Sequence, residues 1–399
     1  MMTRMNSPLE TELEALLSEP VERAKERAGS TFDEQLSPYG RKVVLFGAGN
    51  MGRQVLARLR QDGIEPQAFA DNTRKNWGTQ VDGVPVLPPA EAAGRYGQEA
   101  QFIVTIYNHD HSFPDTKRQL TALGCASTVS IIPLRWKYHE TFLPYYRDDL
   151  PHKVLEHGDA IRDGFALWAD EASRREYVAQ VNWRLHGNFE VLGPLSGKAA
   201  YFPEDETFRL TAKETFVDVG AYDGDTLAHF LALRAKDFHR VLALEPDPIN
   251  FEKLNAYVAS LPETIRSRIE TKPLAAGAQP GRLRFDSGQG TSSSLSQKGS
   301  VEVECCRLDD LFAAQVPTYI KMDIEGAELD AIHGARLTLR EKQPILAACV
   351  YHVQDHLWQV PLAILESNPD YHFFLRPYMA ECWETVCYAV PPKRLPSTR

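Results

Sequence analysis

The feature that most constrains the fold is the run Phe216-Val-Asp-Val-Gly-Ala-Tyr-Asp-Gly-Asp-Thr226, followed by Val241-Leu-Ala-Leu-Glu-Pro246. The pattern predicts a strand, a glycine turn, a helix and a second strand that ends in an acid. Gly220 lets the backbone approach a ligand closely, and Glu245 can bind the two hydroxyls of a ribose. The turn lacks the Gly-x-Gly-x-x-Gly spacing that holds a pyrophosphate. The sequence therefore favours an adenosine-containing cofactor without phosphates, S-adenosylmethionine.

Later motifs give these two runs a family context. Tyr319-Ile-Lys-Met-Asp-Ile-Glu-Gly-Ala-Glu328 follows Cys306-Arg-Leu-Asp-Asp-Leu311, and Tyr351-His-Val-Gln-Asp-His-Leu-Trp-Gln-Val-Pro361 precedes Trp383-Glu-Thr-Val-Cys-Tyr-Ala-Val390. Together the motifs resemble the FkbM family of methyltransferases, over residues 201–390. The resemblance implies a class I methyltransferase fold, S-adenosylmethionine as the methyl donor and, usually, a hydroxyl oxygen as the acceptor.

The expected cofactor site begins with Asp218, which lies within its strand two residues before Gly220. Its carboxylate should share a face with the turn and reach the methionine ammonium, directly or through water. Two simpler roles stay open, because Asp218 can cap the next helix and Glu245 can be a surface acid before a proline turn. The predicted cofactor-binding residues are Asp218, Gly220, Ala221, Tyr222, Gly224, Asp225, Glu245, Pro246 and Asp323.

The expected catalytic residues follow two later strands. Lys321, Asp323 and Glu325 alternate in sequence, so all three face one cleft if the strand continues that far. The resemblance places Asp323 near the transferable methyl group, whereas Glu325 can instead favour the N-terminus of the next helix. His352 follows the apolar run 345–351 and is the best candidate base, because an unperturbed histidine titrates near neutrality. A structural role for His352 is the alternative.

Clustered acids beside His352 and His356 also suggest a divalent metal that would acidify the acceptor hydroxyl. The spacing matches no recognised ligand set, and no zinc-protease motif accompanies the histidines. No metal ligand is therefore predicted, although a metal requirement stays open.

A second α/β region begins at Val43-Val-Leu-Phe46, which leads into Gly47-Ala-Gly-Asn-Met-Gly52 and a helix. The next predicted strand ends at Asp71, at the interval where a dinucleotide fold has its ribose-binding acid. Phe69-Ala-Asp-Asn72, Trp77-Gly78 and Gly83-Val-Pro-Val86 resemble the small nucleotide-sugar-binding domain of sugar acyltransferases, which implies a nucleotide-linked or glycan acceptor. A scaffold without a working site is the alternative. The predicted second nucleotide site comprises Gly47, Gly49, Gly52 and Asp71.

These patterns predict an α/β protein with two Rossmann-like domains joined by a helical segment. The expected boundaries are residues 1–40 for an N-terminal helical segment, 41–135 for the small Rossmann-like domain, 136–200 for a helical connector and 201–399 for the methyltransferase domain. Ser7-Pro8-Leu9-Glu10 has the form of a capping box and predicts the first helix. Core strands of the last domain are expected at 215–219, 240–244, 269–273, 318–322 and 345–351, and a loop at 288–299.

The amino-acid composition restricts the kinds of partner that the protein is expected to bind. A net charge of −10 without a long run of lysine or arginine argues against nucleic acid. The six cysteines lack metal or redox spacing and are expected to be reduced thiols. The sequence contains no signal-peptide core and no run of about 20 apolar residues, which predicts a cytoplasmic protein without a membrane span. The partner is expected to be a small-molecule or glycan acceptor, and the sequence is compatible with a homo-oligomer.

Two functional classes stay open from these observations. The favoured one is an S-adenosylmethionine-dependent O-methyltransferase that acts on a hydroxyl of a sugar, a glycan or a glycosylated metabolite. The other is a nucleotide- or NAD-sensing binding protein in which the methyltransferase domain is catalytically idle. The presence of Asp218, Gly220, Glu245 and Asp323 argues against an idle domain.

Overall fold

A computed structural model describes residues 7–197, 199–203, 205, 207–234, 237–285, 301–312 and 316–396. The expected loop at 288–299 lies outside these residues. The chain forms two compact units. The first consists of Met1–Gly158, Val178–Gly193 and Met379–Trp383, and the second consists of Asp159–Tyr177, Pro194–Tyr378 and Glu384–Arg399.

The first unit is an α/β domain preceded by two helices. Its elements are α1 Pro8–Leu17, α2 Val21–Leu36, β1 Val43–Phe46, α3 Asn50–Gln61, β2 Ala68–Ala70, β3 Gln80–Val81, β4 Val84–Leu87, α4 Pro89–Tyr96, β5 Gln101–Val104, α5 Phe113–Ala122, β6 Thr128–Ser130, α6 Ile132–Lys137, α7 His139–Phe142 and α8 Pro151–Glu156. Helices α9 Gly158–Leu167 and α10 Glu171–His186 follow, and each contributes residues to both units.

The sheet of the first unit has the order β3-β4-β2-β1-β5-β6. Every pairing is parallel except that of β3 with β4. Strands β1, β2 and β5 are completely buried, as expected for parallel strands covered by helices on both faces. The strand order reverses between β1 and β5, which is where doubly wound sheets bind ligands at the carboxyl ends of their strands.

Helix α1 begins as the sequence predicts. The Ser7 hydroxyl accepts a hydrogen bond from the Glu10 backbone N–H at 3.2 Å, and the Glu10 carboxylate accepts one from the Ser7 N–H at 3.3 Å. This reciprocal pair satisfies two N–H groups that a helix leaves unpaired at its start, so the capping box is confirmed.

The second unit contains a larger sheet and the predicted methyltransferase motifs. Its further elements are β7 Thr215–Val219, α11 Asp225–Arg234, β8 Arg240–Leu244, α12 Pro248–Ser260, α13 Glu263–Arg266, β9 Ile269–Lys272, β10 Leu274–Ala276, β11 Gly281–Phe285, β12 Val301–Cys306, α14 Leu308–Leu311, β13 Tyr319–Met322, α15 Glu328–His333, α16 Arg336–Glu341, β14 Ile345–Cys349, α17 His356–Ser367, β15 His372–Pro377 and β16 Thr385–Val390.

The main sheet of the second unit has the order β15-β16-β14-β13-β7-β8-β9. Strands β9, β8, β7, β13 and β14 run parallel, and β16 is antiparallel to both of its neighbours. Consequently the turns after β7, β8, β13 and β14 all lie at one edge of the sheet. Strands β10, β11 and β12 form a separate small sheet.

The α/β class with two Rossmann-like sheets agrees with the sequence-based expectation, and the five predicted core strands of the second sheet are all present. The expected domain boundaries at residues 40, 135 and 200 stay predictions. Among the described residues, no helix combines the length and the apolar character that crossing a bilayer requires.

Candidate active site

The glycine turn after β7 packs directly against the end of β13. Gly220 adopts φ +82°, and a Cβ atom at this position would lie 1.9 Å from the carbonyl oxygen of Asp323. The backbone N–H groups of Gly220 and Ala221 donate to the Leu244 carbonyl at 3.0 and 2.9 Å. Only glycine fits both the left-handed conformation and this close approach. The sequence-predicted turn therefore brings the ends of three strands together.

A buried ion pair lies beneath this turn. Asp218 and Lys321 are register partners in the β7–β13 pairing, and the Lys321 Nζ lies 3.1 Å from the Asp218 Oδ1. The same ammonium donates to the Gly220 carbonyl at 2.6 Å. Burial alone would lower the pKa of Lys321, but Asp218 holds it above its ordinary value. The pair therefore braces the turn from inside the sheet.

The expected common face of Lys321, Asp323 and Glu325 needs a correction. Strand β13 ends at Met322, and Glu325 adopts a left-handed conformation with φ +53°. The two-residue period therefore does not extend to Glu325. The Lys321 side chain is only 2% exposed, and its ammonium pairs with Asp218.

The carboxylate of Glu245 faces the same turn from the end of β8. It accepts hydrogen bonds from the backbone N–H groups of Tyr222 and Asp247, both at 2.8 Å. Burial raises the pKa of Glu245 to about 7. Because each carboxylate oxygen has a further lone pair, these contacts leave acceptor capacity for ribose hydroxyls. The ribose-binding role stays a prediction.

The remaining predicted cofactor residues surround these groups. Gly224, with φ +93°, closes the turn by donating to the Ala221 carbonyl at 2.9 Å. Asp225 is exposed at the start of α11, and Pro246 is half-buried between Glu245 and α12. The structure thus gathers the predicted cofactor residues at the carboxyl ends of β7, β8 and β13, which are adjacent strands.

His352 lies within hydrogen-bonding or ion-pair distance of three carboxylates. Its Nδ1 is 2.7 Å from the Glu328 Oε1, and its Nε2 is 3.3 Å from the Asp323 Oδ1 and 3.7 Å from the Glu325 Oε1. Burial would lower the pKa of His352, but Glu328, Glu325 and Asp323 raise it well above its ordinary value. The premise of an unperturbed histidine is therefore wrong. The role of His352 as general base stays an untested prediction.

Exposure distinguishes the members of this cluster. The side chains of Asp323 and Glu325 are 23% and 19% exposed, whereas that of His352 is 1% exposed. The Glu325 side chain is therefore more open to an acceptor than the imidazole, whereas the Oδ1 of Asp323 is buried. Burial raises the pKa of Glu325 to about 7.

Three further residues of the site were not among the predicted ones. The Tyr201 hydroxyl lies 2.8 Å from the Asp323 Oδ2 and 3.1 Å from the Glu384 Oε2, and the Tyr351 hydroxyl donates to the Glu384 Oε1 at 2.9 Å. Burial raises the pKa of Glu384 to about 7, with Asp323 adding to the effect. Tyr201 therefore connects Asp323 with Glu384, and Tyr351 holds the other oxygen of Glu384.

The predicted second nucleotide site lies in the first unit. Gly47 has φ +112°, and a Cβ atom at Gly52 would lie 2.1 Å from the Gly47 carbonyl oxygen, whereas Gly49 has open space. Asp71 is buried, and its carboxylate accepts from the N–H groups of Ala48 and Thr73 at 2.9 and 2.7 Å. Nucleotide binding there stays a prediction. A nearby cavity of about 360 Å³ is lined by Asn72, His109, Asp110, His111, Ser112, Asp115, Thr116, Gln119 and Ala380.

The sheet order of the second unit and the site at its carboxyl edge define the methyltransferase fold expected from the motifs. Residues 218–383 match the family model described as the methyltransferase FkbM domain. The chain therefore contains a methyltransferase FkbM domain, and the resemblance seen in its motifs is confirmed.

The chain is similar to the crystal structure of methyltransferase FkbM from Methylobacillus flagellatus KT. The two are 24% identical with a TM-score of 0.76, and the match covers 96% of this chain and 98% of that chain. This similarity shows a shared fold over both units. No curated protein matches the chain.

Two other solved structures match with low TM-scores and support no conclusion. A putative rRNA-methylase from Clostridium thermocellum is 11% identical with a TM-score of 0.30, and the match covers 47% of this chain and 91% of that chain. UDP-D-quinovosamine 4-dehydrogenase from Vibrio fischeri is 23% identical with a TM-score of 0.19, over 22% of this chain and 76% of that chain.

Proposed function

We propose that the chain transfers a methyl group from S-adenosylmethionine to a hydroxyl oxygen of a sugar, a glycan or a glycosylated metabolite. The observation that carries the proposal is the convergence of the Gly220 turn, Glu245 and Asp323 at the ends of three adjacent strands within the FkbM domain. S-adenosylmethionine fits this arrangement because the turn admits backbone close to an adenosine and Glu245 can accept from its ribose.

The reaction is an in-line displacement. The acceptor oxygen attacks the methyl carbon, the bond between that carbon and the sulfonium sulfur breaks, and the electron pair stays on sulfur. The products are S-adenosylhomocysteine, a methyl ether and the proton of the hydroxyl. Such a reaction depends mainly on alignment and on a group that can take the proton. Asp323 and Glu325, whose side chains are 23% and 19% exposed, are the candidate groups for that step.

The sugar class of the acceptor is supported by the first unit. Its glycine turn and Asp71 have the spacing of a nucleotide-binding fold, and its motifs resemble a nucleotide-sugar-binding domain. Under this proposal, the first unit binds the nucleotide or glycan part of the acceptor. A nucleotide-sensing protein with an idle second unit is the competing function.

The first test is calorimetric titration of the full chain with S-adenosylhomocysteine, NAD and a panel of nucleotide sugars. We expect S-adenosylhomocysteine to bind, and Glu245→Ala to weaken binding by at least about tenfold, since a ribose contact of this kind contributes about 1.5–3 kcal/mol. Glu381→Gln, which alters a buried acid of the first unit, serves as the matched control. A folded chain that binds NAD but not S-adenosylhomocysteine would refute the proposal in favour of sensing.

The acceptor test uses S-adenosylmethionine with a deuterated methyl group and the same panel. Mass spectrometry of the products should show a labelled methyl ether on a sugar hydroxyl. Labelling at nitrogen or carbon would contradict the O-methylation part of the proposal and leave the donor assignment intact.

A further inference from the structure

We infer that Asp323, Glu325 and His352 form a binding site for a divalent cation. One oxygen from each acid and the Nε2 of His352 lie within 4.8 Å of one another. The Nε2 is 3.3 Å from the Asp323 Oδ1 and 3.7 Å from the Glu325 Oε1. Two ligand atoms that each lie about 2.0–2.2 Å from one ion are separated from each other by distances similar to these two. The site itself rests on geometry alone, whereas its role in catalysis rests on the proposed methyl transfer.

The orientation of His352 is the second observation, and it is independent of the two acids. The Nδ1 of His352 faces the Glu328 Oε1 at 2.7 Å, and Glu328 is completely buried. The same Oε1 accepts from the Ile324 N–H at 3.0 Å, and the Oε2 lies 3.1 Å from the His356 Nδ1. A carboxylate that fixes the outer ring nitrogen of a metal-binding histidine is the usual support for such a ligand.

The position of Glu328 determines which nitrogen of His352 faces Asp323 and Glu325. Because Glu328 takes the Nδ1 side of the ring, the His352 Nε2 is the atom that faces Asp323 and Glu325, at 3.3 and 3.7 Å. Two carboxylates this close to one another repel unless a cation lies between them. That cation is either a proton on the Nε2 or a metal ion. The Lys321 ammonium does not supply this cation, because it contacts Asp218 and the Gly220 carbonyl.

A second group of possible ligands, Asp323, Cys349 and Glu384, is not suited to hold an ion. The Tyr201 hydroxyl lies among these three side chains, at 2.8 Å from the Asp323 Oδ2, 3.3 Å from the Cys349 Sγ and 3.1 Å from the Glu384 Oε2. The tyrosine thus occupies the space that an ion would need. Asp323 uses its Oδ2 for Tyr201 and retains its Oδ1 for the inferred ion.

The ligand set indicates the kind of ion. Two carboxylate oxygens and one imidazole suit Mn²⁺ or a neighbouring first-row ion better than Mg²⁺ or Ca²⁺, which prefer oxygen ligands throughout. Three protein ligands leave positions for water or for an acceptor hydroxyl. A bound hydroxyl would lose its proton more readily and lie at the edge of the sheet where the methyl donor is proposed to bind.

The test titrates Mn²⁺ into chelator-treated full chain and follows the electron paramagnetic resonance signal of free Mn²⁺. We expect one ion per chain, binding weakened at least about 100-fold in Glu325→Gln, and unchanged binding in Glu381→Gln. Asp323→Asn provides a second ligand variant should Glu325→Gln fail to fold. Loss of one inner ligand should exceed the roughly 10–100-fold effect of losing an outer-shell partner.

The same samples are titrated with S-adenosylhomocysteine so that the two proposals fail separately. A chain that binds S-adenosylhomocysteine but no Mn²⁺ would overturn the metal site and leave methyl transfer intact. Equal Mn²⁺ binding by the unmodified chain and Glu325→Gln would also overturn it. Specific Mn²⁺ binding without S-adenosylhomocysteine binding would support the site and refute the proposed function.

Discussion

Replacing Gly220 with alanine should disable the turn and the acid cluster together. A Cβ at this position would lie 1.9 Å from the Asp323 carbonyl oxygen, whereas real Cβ contacts are rarely shorter than 3.0 Å. The Asp323 backbone must therefore move by about 1 Å, at an overpacking cost of about 1–3 kcal/mol. The left-handed conformation at φ +82° adds about 1–2 kcal/mol for alanine.

The expected loss of stability is therefore about 2–5 kcal/mol, and binding of S-adenosylhomocysteine should fall at least about tenfold. Differential scanning calorimetry and isothermal titration measure the two effects on the full chain. Gly281→Ala is the matched control in the same unit, because a Cβ there has no atom within 4 Å and its φ is outside the left-handed region. Unchanged melting and unchanged affinity in Gly220→Ala would show that the turn is not packed as described.

Two further predictions concern buried charges. Lys321→Met should destabilise the second unit by about 3–5 kcal/mol, because it leaves the completely buried carboxylate of Asp218 without its partner. In calorimetry, the double variant Lys321→Met/Asp218→Asn should recover most of this loss. A single variant as stable as the unmodified chain would refute the ion pair. Burial raises the pKa of Glu381 from 4.5 to about 7. The folded chain then binds more protons than the unfolded chain between these values, so this contribution to stability is present at low pH and is lost as the pH rises through about 7. Glu381→Gln should reduce the change of the free energy of unfolding with pH by up to about 3 kcal/mol. If the free energy of unfolding depended on pH in the same way in both chains, the prediction would be contradicted.

Strands β7, β8 and β13 were predictable because each is a short, mostly apolar run that is followed directly by a glycine or an acid. Strands β7 and β8 begin and end where the sequence places them. The Gly220 turn was predictable for the same reason, since only glycine allows the backbone to approach that closely. These features depend on neighbours in the chain, which a single sequence displays.

The orientation of the site residues was less predictable because it depends on strand register. Lys321 was expected to face one cleft with Asp323 and Glu325, and nothing in the sequence indicated that the register of β7 and β13 would pair its ammonium with Asp218 beneath the turn. The left-handed backbone of Glu325 has no local signal either, since the residue is not glycine. Tyr201 and Glu384 are distant in sequence from Asp323, so no short motif could connect them with it.

Asp323 has separate contacts for the two parts of the site. Its backbone carbonyl packs against Gly220 in the cofactor turn, its Oδ2 accepts from Tyr201, and its Oδ1 faces the Nε2 of His352. Because Tyr201 and the strand end hold the side chain, a shift of the turn must also shift the Oδ1 relative to His352 and Glu325. Under the proposed function, binding of the methyl donor would therefore be mechanically coupled to activation of the acceptor through this one residue.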